Sequence, residues 1–211
     1  MSTPLGPGTF VAVVGASGAG KDSLMAYAAE HSDAHFPRRV ITRPAGPGED
    51  HLPVSEIEFD SACARGEFAV HWGAHGLRYG IPVEIDDMVT SGRPVVVNVS
   101  RSVLDELAQR YERLVVVRVE VSDAVRLRRL QARGRESTDD VAARLRRPDP
   151  APHRAGDVVI VNHGTVAEGG AQLIRAIGPL TTVTTRSDEP RSSATRPPSP
   201  DVGAGFSTRT G

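Results

Sequence analysis

The sequence predicts an α/β protein built around a parallel β-sheet. Four short, continuously apolar runs rich in β-branched residues lie at 10–14, 94–99, 114–121 and 157–162. Such runs are typical of strands that are buried on both faces of a sheet. Helical patterns separate the runs, and the alternation of strand and helix predicts βαβ units in a three-layer arrangement. A glycine-rich turn directly after the first run strengthens this prediction, because it joins a strand to a helix.

The composition limits the class of protein. The chain has 211 residues, enough for one domain with a sizeable core. A net charge of -1 gives no general reason to expect binding to nucleic acid or membranes. The single cysteine, Cys63, excludes an intrachain disulfide and a multi-cysteine metal site. Residues 1–10 lack the basic and apolar segments of a secretory signal, so we expect a soluble cytoplasmic protein without a membrane partner.

The first strand, 10–14, leads into the turn GASGAGKDSL (15–24) and a helical pattern at 23–31. Residues 1–8 are expected to form a flexible N-terminus. Further helical patterns follow the second, third and fourth strands, at 103–111, 123–134 and 166–177. This alternation of strand and helix predicts a three-layer α/β domain.

Two segments depart from this alternation. Residues 36–92 contain Pro/Gly punctuation, a helical pattern at 55–66 and extended pieces around EFAVHW (67–72) and GLRYG (76–80). We interpret this segment as an insertion that forms a substrate lobe. Residues 179–211 are rich in Ser, Thr, Pro and Gly and almost lack large apolar side chains, so a disordered tail is predicted there.

The glycine-rich turn has the features of a phosphate-binding loop. Its glycines allow backbone N–H groups to surround phosphate oxygens, and the following helix N-terminus favours negative charge. Lys21, the sole lysine among 25 basic residues, is predicted to reach the β- and γ-phosphates of a nucleoside triphosphate. A lysine kept where all other basic residues are arginine indicates a site that needs a compact ammonium. The predicted ATP-binding residues are Gly15, Ala16, Ser17, Gly18, Ala19, Gly20, Lys21, Asp22 and Ser23.

Asp22 occupies the position where this loop usually carries a hydroxyl that binds Mg²⁺. One interpretation is an acid in the first turn of a helix, stabilised by the helix dipole by about 0.3–1 kcal/mol. The other is a metal ligand, since carboxylates bind Mg²⁺ directly or through water. A carboxylate beside a polyphosphate also requires a cation between them, either a divalent ion or a basic group of the substrate lobe.

Four segments of the chain resemble the guanylate-kinase-like P-loop kinases. They are GASGAGKDSL, ITRPAGPGEDHLPVSEIEF (41–59), GEFAVHWGAHGLRYG (66–80) and RLQARGRESTDDVAARL (129–145). The resemblance covers residues 9–178 and implies a P-loop kinase fold. In that fold a substrate-binding lobe, here within 36–92, is inserted after the first helix, and an arginine-rich lid, here 133–147, closes on the phosphates.

The chain departs from guanylate kinases where they recognise guanine. The two positions that carry base-reading polar groups in that family hold Val70 and Ile81 here. An apolar pocket leaves the polar groups of a buried base unpaired, which disfavours guanine strongly. The motifs GKDSL, ITR, PVEID, VVVNVSR and RGRE together are more similar to the ribose 1,5-bisphosphate phosphokinases. That likeness implies ATP and Mg²⁺ as cosubstrate and cofactor, and synthesis of 5-phosphoribosyl 1-diphosphate (PRPP) from ribose 1,5-bisphosphate during phosphonate breakdown.

The resemblance also suggests roles for individual cationic side chains. Lys21 and the lid residues Arg133, Arg135 and Arg144 would neutralise the transferring phosphoryl group. The other basic side chains of the third helical pattern, Arg126, Arg128 and Arg129, are interpreted as a solvated helix face.

Candidate acceptor-binding residues come from two places. Arg43 would grip the acceptor phosphate bidentately, with a surface-turn arginine before Pro44 as the alternative. Tyr79 would hydrogen-bond the same phosphate, or serve as a half-buried core tyrosine. Three further candidates, at the carboxyl end of the second strand where open sheets bind ligands, are Asn98, Ser100 and Arg101.

Asn162 ends the fourth strand and would border the adenine or form a simple turn. Two alternatives to the predicted function remain open. One is a kinase for another phosphorylated sugar or a nucleoside monophosphate. The other is a catalytically inactive binding module of the guanylate-kinase-like fold, which would have no need of the intact glycine loop and Lys21.

Overall fold

The structure is a computed structural model, and it describes residues 3–46, 49–132 and 156–178. In chain order its elements are β1 (Leu5–Val14), α1 (Lys21–Glu30), β2 (Arg39–Ile41), β3 (His51–Pro53), α2 (Glu56–Ala64), β4 (Phe68–Ala74), β5 (Leu77–Pro82), α3 (Ile85–Thr90), β6 (Val95–Asn98), a 3-10 helix (Arg101–Val103), α4 (Leu104–Arg110), β7 (Tyr111–Glu120), α5 (Asp123–Ala132), β8 (Val158–Val161) and α6 (Val166–Ile177).

The main sheet contains the four apolar runs of the sequence. Its strand order is β6-β1-β7-β8, and every neighbouring pair is parallel. The prediction of a parallel sheet core is therefore confirmed. β1 begins earlier than expected, because Leu5 pairs with Tyr111 of β7. Residues 5–8, which the sequence analysis assigned to a flexible N-terminus, are thus part of the sheet.

A second sheet lies within residues 39–82 and has the strand order β3-β2-β5-β4. β5 pairs antiparallel with both β2 and β4, whereas β2 and β3 are parallel. This sheet occupies the segment that was interpreted as an insertion. The helix predicted at 55–66 is α2, whose N-terminus is closed by a capping box between Ser55 and Glu58.

Three elements of this region were not predicted from the sequence. β2 and β3 have three residues each and α3 has six. A strand of three residues is too short to show an alternating pattern, and its formation depends on the partner strand. These elements are therefore products of tertiary contacts rather than of local sequence.

The main sheet separates two apolar clusters. Phe10 and Ala12 face a cluster that includes residues of α3, α4, β4 and β5. Val11 and Val13 face the opposite cluster, which includes residues of α1 and α6. Because successive side chains of a strand point to opposite faces, the valine-rich run of β1 supplies both clusters at once. The sheet is thus covered on both sides.

The register of the second sheet determines which of its side chains share a face. Ile41 of β2 lies opposite Tyr79 of β5, which in turn lies opposite Trp72 of β4. Trp72 and Tyr79 stack with ring centroids 5.4 Å apart, and they join the first apolar cluster. Arg39 is two residues from Ile41, so it belongs to the same face. Because Nη1 of Arg39 donates to the carbonyl oxygen of Asn98, the last residue of β6, this face is turned toward the carboxyl end of β6.

α6 approaches α1 closely through two glycines. A Cβ at Gly169 would lie 2.7 Å from Cδ2 of Leu24, and one at Gly170 would overlap the ring of Tyr27. The absence of side chains at these positions allows the two helices to pack together on one face of the sheet. None of the helices in the described part of the chain is long and apolar enough to cross a membrane.

Candidate active site at the carboxyl edge of the main sheet

The glycine loop joins β1 to α1 and depends on left-handed backbone conformations. The φ angles of Gly15, Gly18 and Gly20 are 151°, 82° and 92°, values that side chains with a Cβ rarely adopt. At Gly15 a Cβ would also overlap the carbonyl oxygen of Val119. The loop is therefore held close to β7, and its glycines are required by conformation and by space.

Lys21 is the first residue of α1, and its ammonium folds back onto the loop. Nζ donates hydrogen bonds to the carbonyl oxygens of Gly15, at 2.9 Å, and Ala16, at 3.1 Å. The positive charge of the side chain is therefore already placed over the loop, where the phosphates of a nucleotide bind in P-loop proteins.

Two side chains from distant parts of the chain donate hydrogen bonds to carbonyl oxygens of the loop. Nδ2 of Asn162 donates a buried hydrogen bond of 2.8 Å to the carbonyl oxygen of Ala19. Nε of Arg126 donates one of 3.0 Å to the carbonyl oxygen of Ser17. Arg126 is only 9% exposed, so its interpretation as part of a solvated helix face was wrong. Its guanidinium is buried because α5 packs over the loop and satisfies the Ser17 carbonyl group.

Asp22 lies in the first turn of α1 and is exposed. Its Oδ1 accepts a hydrogen bond of 3.0 Å from Nδ2 of Asn98, at the end of β6. The structure thus brings together the loop acid and one of the predicted acceptor-binding residues. Ser23, the neighbouring hydroxyl, is also exposed.

The oxygen donors at this position suit Mg²⁺, which prefers hard oxygen ligands and is usually held by one or two carboxylates together with substrate phosphates. The carboxylate of Asp22 and the hydroxyl of Ser23 are donors of this kind, and both are accessible. Within residues 3–46, 49–132 and 156–178, the structure contains no cluster of three or more His, Cys, Asp or Glu side chains suited to a metal.

Arg43 lies just after β2 in a loop that is organised by Glu49. Nη1 of Arg43 donates to Oε2 of Glu49 at 2.7 Å, and the N–H group of Gly46 donates to the same oxygen at 3.0 Å. The hydrogen bond and the charge of Glu49 raise the pKa of Arg43 despite partial burial. The buried ring of His51 contacts the Arg43 carbonyl oxygen through Nε2 at 3.1 Å. Arg43 is thus held by a polar network at the end of β2.

The other predicted acceptor-binding residues come from both sheets. Tyr79 is half-buried and stacks on Trp72, with an interplanar angle of 4°. Ser100 caps the N-terminus of the 3-10 helix, and its Oγ accepts from the N–H group of Ser102 at 3.2 Å. Arg101 follows directly, and its side chain lines a cleft beside the glycine loop. Tyr79 therefore comes from the second sheet, and Ser100 and Arg101 from the main sheet.

The cleft has a volume of about 170 Å³ and is lined in part by Gly15 and Ala16 of the loop. Arg101, Arg118 and Arg126 all contribute to its walls, together with Glu120. Sequence reasoning missed Arg118, although it and Glu120 interrupt an otherwise apolar run. Charged residues within an otherwise apolar strand are the signal by which this edge of the sheet could have been found.

A second missed residue is Arg39, at the start of β2. Nη1 of Arg39 donates to the carbonyl oxygen of Asn98 at 3.4 Å. Burial lowers the pKa of Arg39, while the charges of Asp22 and Tyr79 act in the opposite direction. Arg39 is therefore a partly desolvated cation between the second sheet and the glycine loop. Its position two residues before Ile41, on the face of β2 that looks inward, could be recognised only once the strand was known.

The predicted catalytic arginines of the lid, Arg133, Arg135 and Arg144, lie outside the described residues. The same holds for the whole proposed lid, 133–147. The two positions that distinguish the chain from guanylate kinases are described. Val70 and Ile81 lie opposite each other in β4 and β5, and both are buried in the first apolar cluster. They offer apolar surface only.

Comparison with known proteins places this site in a family. No protein-family model matches the chain. Among curated proteins, "Ribose 1,5-bisphosphate phosphokinase PhnN" of Pseudofrankia inefficax is 66% identical over 179 residues, which are 84% of this chain and 94% of that protein. The protein of the same name from Bradyrhizobium diazoefficiens is 44% identical, over 82% of this chain and 89% of its own length.

Among solved structures, the guanylate kinase of Anaplasma phagocytophilum matches with a TM-score of 0.63 and 21% identity, over 84% of this chain and 87% of the kinase. That match shows that the fold is shared with guanylate kinase. The sequence identity to the curated proteins is much higher and extends over almost their full length. The chain belongs to the ribose 1,5-bisphosphate phosphokinase family.

Proposed function

We propose that this protein transfers the γ-phosphoryl group of ATP to the 1-phosphate of ribose 1,5-bisphosphate, in phosphonate catabolism. The products are PRPP and ADP. The observation that carries the proposal is the intact glycine loop, in which Nζ of Lys21 lies 2.9 Å from the carbonyl oxygen of Gly15. Family membership then supplies the acceptor, because the related proteins are ribose 1,5-bisphosphate phosphokinases.

The transfer itself requires the formation of one bond and the breaking of another. An oxygen of the 1-phosphate attacks the γ-phosphorus, and the bond from that phosphorus to the oxygen of the ADP leaving group breaks. ADP keeps the electron pair. The attacking phosphate oxygen is already deprotonated near neutral pH, so no strong general base is needed. Catalysis therefore depends on in-line positioning and on neutralising charge.

The glycine loop and Lys21 would hold the donor phosphates. Backbone N–H groups of residues 15–20 and the N-terminus of α1 favour the β-phosphate, and the ammonium of Lys21 favours the β- and γ-oxygens. Mg²⁺, when bound, neutralises charge on these oxygens, and Asp22 and Ser23 are the residues that would hold it. We assign the remaining positive charge to Arg133, Arg135 and Arg144 of the lid.

The acceptor would bind between the two sheets. Arg43 and Tyr79 come from the second sheet, and we assign them to the acceptor phosphates. Asn98, Ser100 and Arg101 follow β6 at the carboxyl edge of the main sheet, where they would bind the sugar or its phosphates. In this arrangement the acceptor would lie next to the glycine loop, as in-line transfer requires.

The lining of the second sheet supports a sugar phosphate rather than guanine. Val70 and Ile81 are both buried and face each other across β4 and β5. Neither side chain has a polar atom with which to pair the edge of a base. Each polar group of a base that is buried against them without a partner costs about 1–3 kcal/mol, whereas ribose phosphates would be recognised through their charged ends.

The test is to supply the purified protein with ATP and Mg²⁺ and one of three acceptors: ribose 1,5-bisphosphate, ribose 5-phosphate or GMP. Phosphorus NMR distinguishes the diphosphate of PRPP from the two monophosphates of the substrate. We expect PRPP with the bisphosphate and little turnover of the other two. Comparable turnover of GMP would contradict the proposal, and absence of both transfer and ATP binding would indicate an inactive binding module.

A further inference from the structure

Arg39 is a cation that the mechanism above does not use. It is the first residue of β2, and it shares the inner face of the second sheet with Ile41 and Tyr79. Arg39 is half-buried, and its partner on the neighbouring strand β3 is His51, which is buried. The inner face of this sheet is otherwise apolar or aromatic, so a guanidinium there needs an explanation.

The side chain of Arg39 reaches the main sheet at Asn98. Its Nη1 donates to the Asn98 carbonyl oxygen at 3.4 Å, while Nδ2 of Asn98 donates to Oδ1 of Asp22 at 3.0 Å. Asn98 thus contacts the cation through its backbone and the anion through its side chain. The three residues form one chain of contacts from the substrate lobe to the glycine loop.

The electrostatics of this position favour an additional anion. Burial takes the guanidinium of Arg39 partly out of water, and Asp22 and Tyr79 compensate only in part. The hydrogen bond to Asn98 is made to a neutral carbonyl group and uses one of five N–H donors. A phosphate group, which can offer two oxygens at once, is the ligand that best satisfies a partly desolvated guanidinium group.

We propose that Arg39 binds the phosphate group of the acceptor that faces the glycine loop, and that Asp22, through Asn98, holds the Arg39 side chain in that position. The proposal rests on the function proposed above. It also explains how Asp22 is tolerated beside a polyphosphate, since Arg39 supplies the cationic group of the substrate lobe that such a carboxylate requires. Arg39 is therefore assigned to substrate binding, and Asp22 acts on the acceptor as a positioning residue.

The test compares Arg39→Met with a matched control, Arg38→Met. Arg38 is the preceding residue and is exposed; it pairs with Asp50 at 2.5 Å and donates to the His51 carbonyl oxygen at 3.1 Å. We expect Arg39→Met to raise the KM for the acceptor about 10- to 100-fold, the range for loss of a charge-assisted hydrogen bond. The Kd of ATP, measured by calorimetry, should stay within about twofold of the wild-type value, and Arg38→Met should change neither constant.

Two further variants separate binding from folding. Arg39→Gln keeps a donor for the Asn98 carbonyl group but lacks the charge, and we expect its KM for the acceptor to rise as in Arg39→Met. Arg39→Lys keeps the charge without the planar fork, and we expect an intermediate KM. The urea midpoint of each variant reports on folding. A wild-type KM in Arg39→Gln, or a loss of ATP affinity as large as the loss for the acceptor, would overturn the proposal.

The same experiment distinguishes this inference from the proposed function. If the wild-type protein phosphorylates a different phosphorylated acceptor, the proposed function fails, yet a raised KM for that acceptor in Arg39→Met still supports the role of Arg39. If the wild-type protein turns over ribose 1,5-bisphosphate and Arg39→Met does so with an unchanged KM, the function stands and the inference fails. If no phosphorylated acceptor is bound or turned over, both are wrong.

Discussion

Asn162 and Ala19 are joined by a hydrogen bond of 2.8 Å between the side-chain amide of the first and the carbonyl oxygen of the second. Both residues are buried. Asn162 follows β8, at the edge of the main sheet, whereas Ala19 belongs to the glycine loop after β1. The last strand of the sheet therefore fixes the backbone of the loop, and the loop does not depend on its own sequence alone for its shape.

Asn162→Ala tests this connection. Removing the amide leaves the buried Ala19 carbonyl group without this donor, and a loss of about 1–3 kcal/mol in the free energy of unfolding is expected. Because the group that loses this donor belongs to the loop, ATP affinity should fall together with stability. Urea denaturation and calorimetry with ATP measure the two effects. Unchanged ATP affinity in a destabilised variant would mean that the bond supports the fold but not the site.

Lys21→Met should abolish most of the phosphoryl transfer. The variant keeps the length of the side chain but removes the positive charge at the loop, and we expect kcat to fall by a factor on the order of 100–1,000, as for loss of other groups that stabilise charge in a transition state. Lys21→Arg should be nearly as impaired, because the planar fork does not match the space occupied by an ammonium. Steady-state kinetics with both variants, after a check of their thermal unfolding, measures this effect. Activity above about a tenth of the wild-type value in Lys21→Met would refute the assigned role.

Asp22→Ser restores the hydroxyl that phosphate loops usually carry at this position. If the carboxylate helps to hold Mg²⁺, the Mg²⁺ concentration for half-maximal activity should rise about tenfold, at the lower end of the range for residues that support a metal. Initial rates at fixed ATP and increasing Mg²⁺ give this value. The same Mg²⁺ dependence and turnover as in the wild type would show that Asp22 does not hold the metal.

Gly170→Ala tests the close packing of α6 on α1. The new Cβ would overlap the ring of Tyr27, so the helices or the ring must move, at a typical cost of about 1–3 kcal/mol. Gly73→Ala is the control, because the nearest atom to a Cβ there is 4.0 Å away. Urea denaturation should show a clear loss of stability for the first variant and none for the second. Equal midpoints would show that Tyr27 relaxes without cost.

His35 gives a prediction for the dependence of stability on pH. Burial lowers the pKa of His35 below its ordinary value of 6.5, and the positive charge of Arg93 lowers it further. The unfolded chain therefore binds more protons than the folded protein as the pH falls below about 6.5, so the contribution of neutral His35 to stability is complete above this pH and is lost below it.

His35→Gln should remove that part of the pH dependence, because glutamine does not titrate and the backbone contacts of residue 35 to Pro94 and Val96 remain. The measurement is the urea midpoint of both proteins between about pH 5 and pH 8, a range that spans the histidine titration. The wild-type midpoint should fall more steeply toward acid than that of the variant. Parallel curves would show that His35 does not contribute to the pH dependence.

The sequence predicted the main sheet well because its physical cause is local. Strands buried on both faces must be apolar at every position, and this requirement is visible in four runs of adjacent residues. The glycine loop was equally visible, since Gly15, Gly18 and Gly20 provide backbone conformations that few other residues adopt. The second sheet was foreseen as an insertion, but its two shortest strands were not.

The polar contacts of the site were not predictable in the same way. Arg39 and Asn98 are 59 positions apart, and Arg126 and Ser17 are 109 apart. No local pattern distinguishes the buried Arg126 from Arg128, which lies exposed on the same helix. Such contacts arise only when the sheet order is known, because the order determines which strand ends meet at the loop.

The hydrogen bonds of Lys21 to Gly15 and Ala16 have a chemical consequence. This side chain carries the chain's single ε-amine, and in the candidate nucleotide site it donates hydrogen bonds as an ammonium, whose nitrogen must lose a proton before it can react with an acylating reagent. Acylation of lysine anywhere in this protein is therefore acylation at the loop. The extent of ε-amine labelling, read at the peptide that contains Lys21, therefore measures how accessible the site is.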